Sequence, residues 1–223
     1  VKYFSFALLL ISFPAFSQIE NVSKFLELGV SPLSYKGDLS QGYENWTSGF
    51  HIGLKRNTKE KWNGHFNLMI GNVTGQNPEY TYPASSSTPS LFFKTNLISL
   101  NYDLQYNLLK KNNFILYISQ GIGLLRFSPK DEENNSLSDK FTTRAKDENF
   151  NNISFIFPHY IGFIYFLKNS YGLGMNIGRI NPATDYIDNI SKLSNYKKPD
   201  NIFSFRFSIF IPISFKEAAP ATE

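Results

Sequence analysis

Few residues in this chain could do chemistry. It has 3 His and no Cys, which excludes disulfides, thiol nucleophiles and cysteine-ligated metals. His51 and His65 both fall on the polar positions of segments that alternate apolar and polar residues. If the intervening turn centres near Lys59, His51 lies opposite Asn67 and diagonal to His65, about 7–8 Å away. That spacing could hold a metal or make a pH-sensing pair, and polar filling of an interior is the simpler reading. Glu27, Lys55, Asp103, Gln105 and Arg206 occupy polar sets of the same kind. Charges there must pair, because an unpaired buried ion is expensive, so they read as a structural network in preference to a transport path. A second group sits in connections: Tyr35, Gly37 and Asp38, and later Asp185, Tyr186 and Asp188. Asp185 and Asp188 could cap a turn, bind a cation or dock a partner, with turn capping the default.

No nucleophile elbow, phosphate-binding glycine loop or pair of carboxylates in a cleft appears. An outer-membrane hydrolase would need a His with Ser or carboxylate partners at the outer rim. His51 and His65 are mid-strand, and His159 lies on a segment of uncertain phase. The expectation is therefore no enzyme, no cofactor, no metal and no small-molecule substrate.

The elements that must position these residues announce themselves by period-two alternation. From Phe93 to Phe127, Ile98, Leu100, Tyr102, Leu104, Tyr106 and Leu108 alternate with Ser99, Asn101, Asp103, Gln105 and Asn107; after Lys110–Asn113 the apolar set resumes as Phe114, Leu116, Ile118, Ile122 and Leu124. Similar runs begin near Leu26, Phe50, Trp62, Tyr171 and Phe203. The segment 153–167 is apolar on both faces, and Gly162 beside Tyr160 suggests that those two face inward. That makes eight candidate strands. Connections alternate between short (57–61, 110–113, 168–170) and long (33–46, 74–91, 128–151, 181–201), which is the layout of an outer-membrane barrel.

Composition agrees. Aromatics are 17% and charged residues only 18%, a balance that fits a membrane interface better than a water-facing surface. A soluble lipocalin-type barrel would carry Lys and Glu on its polar faces; here those faces carry Gly, Ser and Asn, which a narrow eight-stranded lumen can hold. The net charge of +4, spread over scattered Lys, is no nucleic-acid footprint. Residues 1–17 read as a signal peptide, with Lys2, an apolar run and Ala15-Phe16-Ser17 before Gln18. The expected organisation is a signal peptide (1–17), an eight-stranded antiparallel outer-membrane β-barrel (18–215) with short periplasmic turns and long extracellular loops, and a short periplasmic tail (216–223).

Four stretches in order also resemble a family. They are Glu27-Leu28-Gly29-Val30 with Tyr35-Lys36-Gly37-Asp38-Leu39; Phe92-Phe93-Lys94 through Tyr102-Asp103-Leu104-Gln105-Tyr106-Asn107-Leu108; Gly121 to Lys130; and Thr184-Asp185-Tyr186-Ile187-Asp188-Asn189-Ile190-Ser191. Together they resemble the small barrels of Bacteroidota typified by component G of the Por (type IX) secretion system. Gln105 replaces that family's usual acid, Asn189 replaces the second Asp of its acidic pair, and 216–223 extend past the last strand. The resemblance implies an outer-membrane anchor or accessory subunit that docks periplasmic ring components in protein secretion and, in gliding species, motility. Its expected partners are outer-membrane lipid and proteins of a membrane-associated complex, with Tyr35, Gly37, Asp38, Asp185, Tyr186 and Asp188 as docking candidates. The alternative is a structural or binding barrel that serves another envelope complex or presents its loops as an adhesin does.

Overall fold

In a closed sheet each alternating strand turns one set of side chains inward and the other outward. The computed structural model describes residues 22–58, 60–82, 89–146, 148, 151–194 and 199–215, with the side chains of 214 and 215 excepted. The expected signal peptide and C-terminal tail, and Lys59, lie outside the described residues. The strands are β1 (Val22–Val30), β2 (Leu33–Lys36), β3 (Trp46–Thr47), β4 (Gly49–Arg56), β5 (Trp62–Gln76), β6 (Phe92–Lys111), β7 (Phe114–Lys130), β8 (Ile153–Phe166), β9 (Gly172–Pro182) and β10 (Asn201–Phe215). Each pairs antiparallel with its neighbours, and β1 closes on β10 with Leu26 opposite Ile211 and Leu28 opposite Ile209.

Ten segments make eight staves. β1 and β2 are one strand interrupted at Ser31-Pro32, because proline has no N–H for the ladder. Pro32 still accepts from Phe205 N at 3.0 Å, and Ser31 exchanges two hydrogen bonds with Gly49. Beyond the break β2 resumes pairing with β10, and β3 pairs with β2. The connection expected to be a polar loop over 33–46 therefore begins and ends as strand. About 9–11 residues cross a bilayer, so β6, at 20 residues, stands well beyond it.

The outside is apolar. Phe50 is 68% exposed and Leu100 56%, while Asp103 is 1%. That inverts a water-soluble protein, and closure of the sheet lets neighbouring strands satisfy one another's backbone groups around the ring. β8 turns Tyr160 and Gly162 inward and His159 outward. Exposed tryptophans pack on half-buried rings of the outer face, Trp62 on Tyr106 at 4.8 Å near one rim and Trp46 on Phe205 at 5.5 Å near the other; Trp and Tyr favour such interfacial positions.

Inside, the lumen is layered. An apolar cluster containing Phe25, Tyr117, Phe166 and Phe210 fills the short-turn end. A larger one containing Tyr35, Met69, Phe93, Phe127, Ile187 and Ile190 fills the long-loop end. The polar residues lie between them. The middle of the lumen is polar, though large charged side chains share it with small ones, and both ends are packed with large apolar rings.

Candidate functional site: a sealed polar belt and a capped rim

Strand pairing brings the lumen residues together. Glu27, His51, Lys55, His65, Asp103, Gln105 and Arg206 are all buried. Glu27 Oε2 lies 2.7 Å from His65 Nε2, and Glu27 Oε1 lies 3.3 Å from His51 Nε2. His65 Nδ1 faces Asp103 Oδ2 at 3.5 Å. Asp103 Oδ1 accepts from Asn101 Nδ2 at 2.7 Å, and Asn101 Oδ1 accepts from Asn67 Nδ2 at 3.2 Å. The Lys55 ammonium donates to Gln105 Oε1 and sits 4.9 Å from the Tyr117 ring centroid. The Arg206 guanidinium lies 4.4 Å from that of Tyr160, a cation–π arrangement that desolvation strengthens.

One register detail corrects the sequence reading. His51 is opposite Met69, and His65 is opposite Lys55, so the two histidines are not diagonal neighbours on β4 and β5. They are linked by Glu27 of β1, a strand away. Glu27 reaches His65 across Gly53, where an added Cβ would lie 2.3 Å from His65 Nε2 and 2.9 Å from Phe66 O. His51 leans over Gly29 in the same way. His51 spends its nitrogens on Ser31 Oγ at 2.7 Å and Ser208 Oγ at 2.9 Å. Among the described residues, no group of three or more His, Asp or Glu is placed to hold a metal ion.

Ser31, His51 and Glu27 together form a hydroxyl–imidazole–carboxylate line of the kind that activates a serine nucleophile. Ser31 is fully buried and His51 nearly so, beneath the apolar end cluster.

The connection candidates turn out to be a cap. Tyr35 is fully buried, and its hydroxyl lies 2.7 Å from Asp188 Oδ2 and 2.5 Å from Asp200 Oδ1. Asp188 Oδ1 accepts from Ile190 N at 2.9 Å, and Asp200 Oδ2 from Ile187 N at 2.8 Å. Asn189 takes a left-handed φ of 68°, a conformation Asn tolerates, and its amide joins Thr143 Oγ1 at 2.9 Å and Arg144 Nε at 3.1 Å. Ile187 and Ile190 thereby point down into the barrel mouth. Asp38 accepts from Tyr80 and Ser194 hydroxyls, each at 2.6 Å. Gly37 bridges to Ser40, and an added Cβ there would meet Tyr35 Oη at 1.8 Å.

Tyr35, Asp38 and Asp188, singled out from sequence as docking candidates, are buried here and hold the cap from inside. Asp185 and Tyr186 are half-buried beside them. Burial, with Asp38 nearby, pushes Asp185 up to about 6. Burial and neighbouring carboxylates raise Asp188 and Asp200 well above the usual range. The Tyr35 hydroxyl stands between the two carboxyl groups, and their closeness to each other and to Asp185 favours the protonated form of the pair. Asp200 and Arg144 carry as much of the cap as the residues singled out from sequence; each sits in a polar stretch with no periodicity to flag it.

Sequence reasoning also missed an outward row. Leu104, Gln120, His159, Arg179 and Phe203 lie side by side across β6 to β10, and Gln120, His159 and Arg179 are exposed on the lipid side. Gln120 Nε2 donates to Pro158 O at 3.1 Å, and Asn181 Nδ2 donates to His159 Nδ1 at 3.0 Å. Arg179 lies 5.8 Å from the Tyr43 ring centroid.

Comparison with known proteins finds no family model and no curated sequence that matches the chain. Solved structures do match in fold. Neisserial surface protein A (NspA) is 10% identical with a TM-score of 0.53, covering 85% of this chain and 97% of its own. The attachment invasion locus protein Ail of Yersinia pestis is 9% identical at 0.49, with the same coverages. The outer membrane protein OprG from Pseudomonas aeruginosa is 12% identical at 0.46, covering 90% and 98%. The chain is a small outer-membrane barrel of eight strands.

Proposed function

We propose that this barrel is a non-enzymatic anchor or accessory subunit of an envelope protein complex, and that the complex is the type IX secretion machinery its sequence motifs resemble. The observation that carries this is the row Gln120, His159 and Arg179 on the lipid face. A lipid-facing Arg costs about 2–4 kcal/mol at the bilayer midplane and falls to about 0–1 near the interface. Polar residues at membrane depth ordinarily find partners in protein. A lumen sealed at both ends leaves the outer surfaces as the place of work.

Affinity purification of the tagged chain from native membranes in mild detergent tests it. Wild type should bring protein partners with it, and H159L/R179L should lose those that dock laterally. Periplasmic ring proteins among them support the secretion assignment; other envelope proteins redirect the role to another complex. A clean monomer overturns the proposal.

A second reading is a loop-presenting binder. It has one observation in its favour: Phe141, in a 3-10 turn of the 131–152 loop, is 79% exposed. Loss of cell or matrix adhesion in F141A, with complex assembly unchanged, would favour it.

A further inference from the structure

Two like charges face each other on the outside of the barrel at the short-turn end. Lys24 of β1 is directly opposite Arg56 of β4, and both are exposed. Among the described residues neither is paired with a carboxylate. Like charges directly opposite destabilise a strand pair, so this pair calls for an anion between them.

Beside it the wall is grooved. Gly64 presents no side chain, and the depression there has a volume of about 500 Å³, lined by Leu54, Phe66 and Tyr102 with Lys24 and Arg56 at its edge. Leu54 pairs with Phe66, and Phe66 with Tyr102, whose rings are 4.8 Å apart. The Tyr102 hydroxyl leans into the space, 2.2 Å from where a Cβ on Gly64 would lie. The cationic pair, the Tyr102 hydroxyl and the apolar side chains thus line one depression on the outer wall at the short-turn end.

We propose that this groove binds one anionic phospholipid of the leaflet at the short-turn end. Its phosphate sits between Lys24 and Arg56, and an acyl chain runs along Leu54, Phe66 and Tyr102. A free phosphate would use the rim and leave the trough empty; a zwitterionic lipid would bring no net charge to the pair. The site is independent of any protein partner.

Native mass spectrometry of the refolded chain in neutral detergent reads this directly, with dioleoylphosphatidylglycerol, dioleoylphosphatidylcholine or inorganic phosphate as probes. Phosphatidylglycerol should be retained in preference to phosphatidylcholine. At about 1 kcal/mol per basic side chain near a membrane surface, K24Q and R56Q should each weaken retention about fivefold, and K24Q/R56Q about thirtyfold. Both residues are exposed and their repulsion is relieved, so the double variant should keep the heat-dependent gel shift of a folded barrel. G64L should reduce phosphatidylglycerol retention by filling the trough. Equal retention of the two lipids, retention unchanged in K24Q/R56Q, or full displacement of phosphatidylglycerol by inorganic phosphate would each overturn the proposal.

Discussion

Glu27 is the residue on which the polar belt turns. It holds His51 and His65 from a third strand and also accepts from Ser208 Oγ at 2.5 Å. Removing one member of a buried ionic set leaves the others uncompensated, at about 3–5 kcal/mol. E27A should therefore lower the unfolding free energy of the barrel in detergent by that order, read from denaturant titration, and E27Q by less. G53V should produce a loss of the same kind without touching a charge, since its side chain would occupy the space through which Glu27 meets His65. If G53V proves as stable as wild type in the same titration, the Glu27–His65 contact is not what holds the belt. His51 and Glu27 were legible in the sequence as inward residues. Their partnership was not, because it depends on β1 lying next to β4 and on a register two residues away from the one a turn centred at Lys59 implies.

At the scale of the element, the 184–191 loop is a stopper whose grip depends on pH. Asp185 is raised to about 6, against about 3.9 for an unfolded Asp. Asp188 and Asp200 move in the same direction. A carboxyl whose folded value is raised contributes its stability fully below the unfolded value and loses it as pH climbs through the folded one. The cap should therefore be tighter at pH 5 than at pH 8. The protection factors of the Ile187 and Ile190 amides, that is, their exchange rates normalised to the intrinsic rate at each pH, should be higher at the lower pH. D185N should flatten the part of that dependence between about pH 4 and 6. Lower protection at pH 5 than at pH 8 would contradict the tighter cap. Y35F removes the shared phenol hydrogen and should loosen the same loop at both pH values. The sequence marked this loop by its aspartates and tyrosine. It could not show that they point inward, since a polar connection folded over a barrel mouth reads the same as one standing in solvent.

For the whole molecule, closure is the decisive property. Large rings pack across the lumen at both ends, around a charged middle. The folded chain should show no steady single-channel conductance in a planar bilayer, and F93A/F127A should admit ion flow only if the 184–191 stopper is also loosened, as in D188A. Conductance from the wild-type barrel would show that the ends open. With both ends of the lumen packed, the two proposed sites both lie on the outer wall: the Gln120–His159–Arg179 row and the Lys24–Arg56 groove.

Sequence alone determined the class and most of the facing. Alternation in β1, β4, β5, β6, β7, β9 and β10 assigns each side chain to lipid or lumen because a strand has only two faces. The scarcity of charge on the apolar set then says which face meets lipid. Closure, register and depth belonged to the tertiary structure. Whether Ser31 and His51 are a nucleophile and base or a sealed contact is set by what packs above them. Whether Tyr35 and Asp188 greet a partner or each other is set by a loop that folds back. Why His159 stands on the lipid side became visible only when β8, apolar on both faces, was locked between β7 and β9, which also set it beside Arg179. Local pattern fixes direction. Contacts between residues far apart in the chain exist only once the ring has closed.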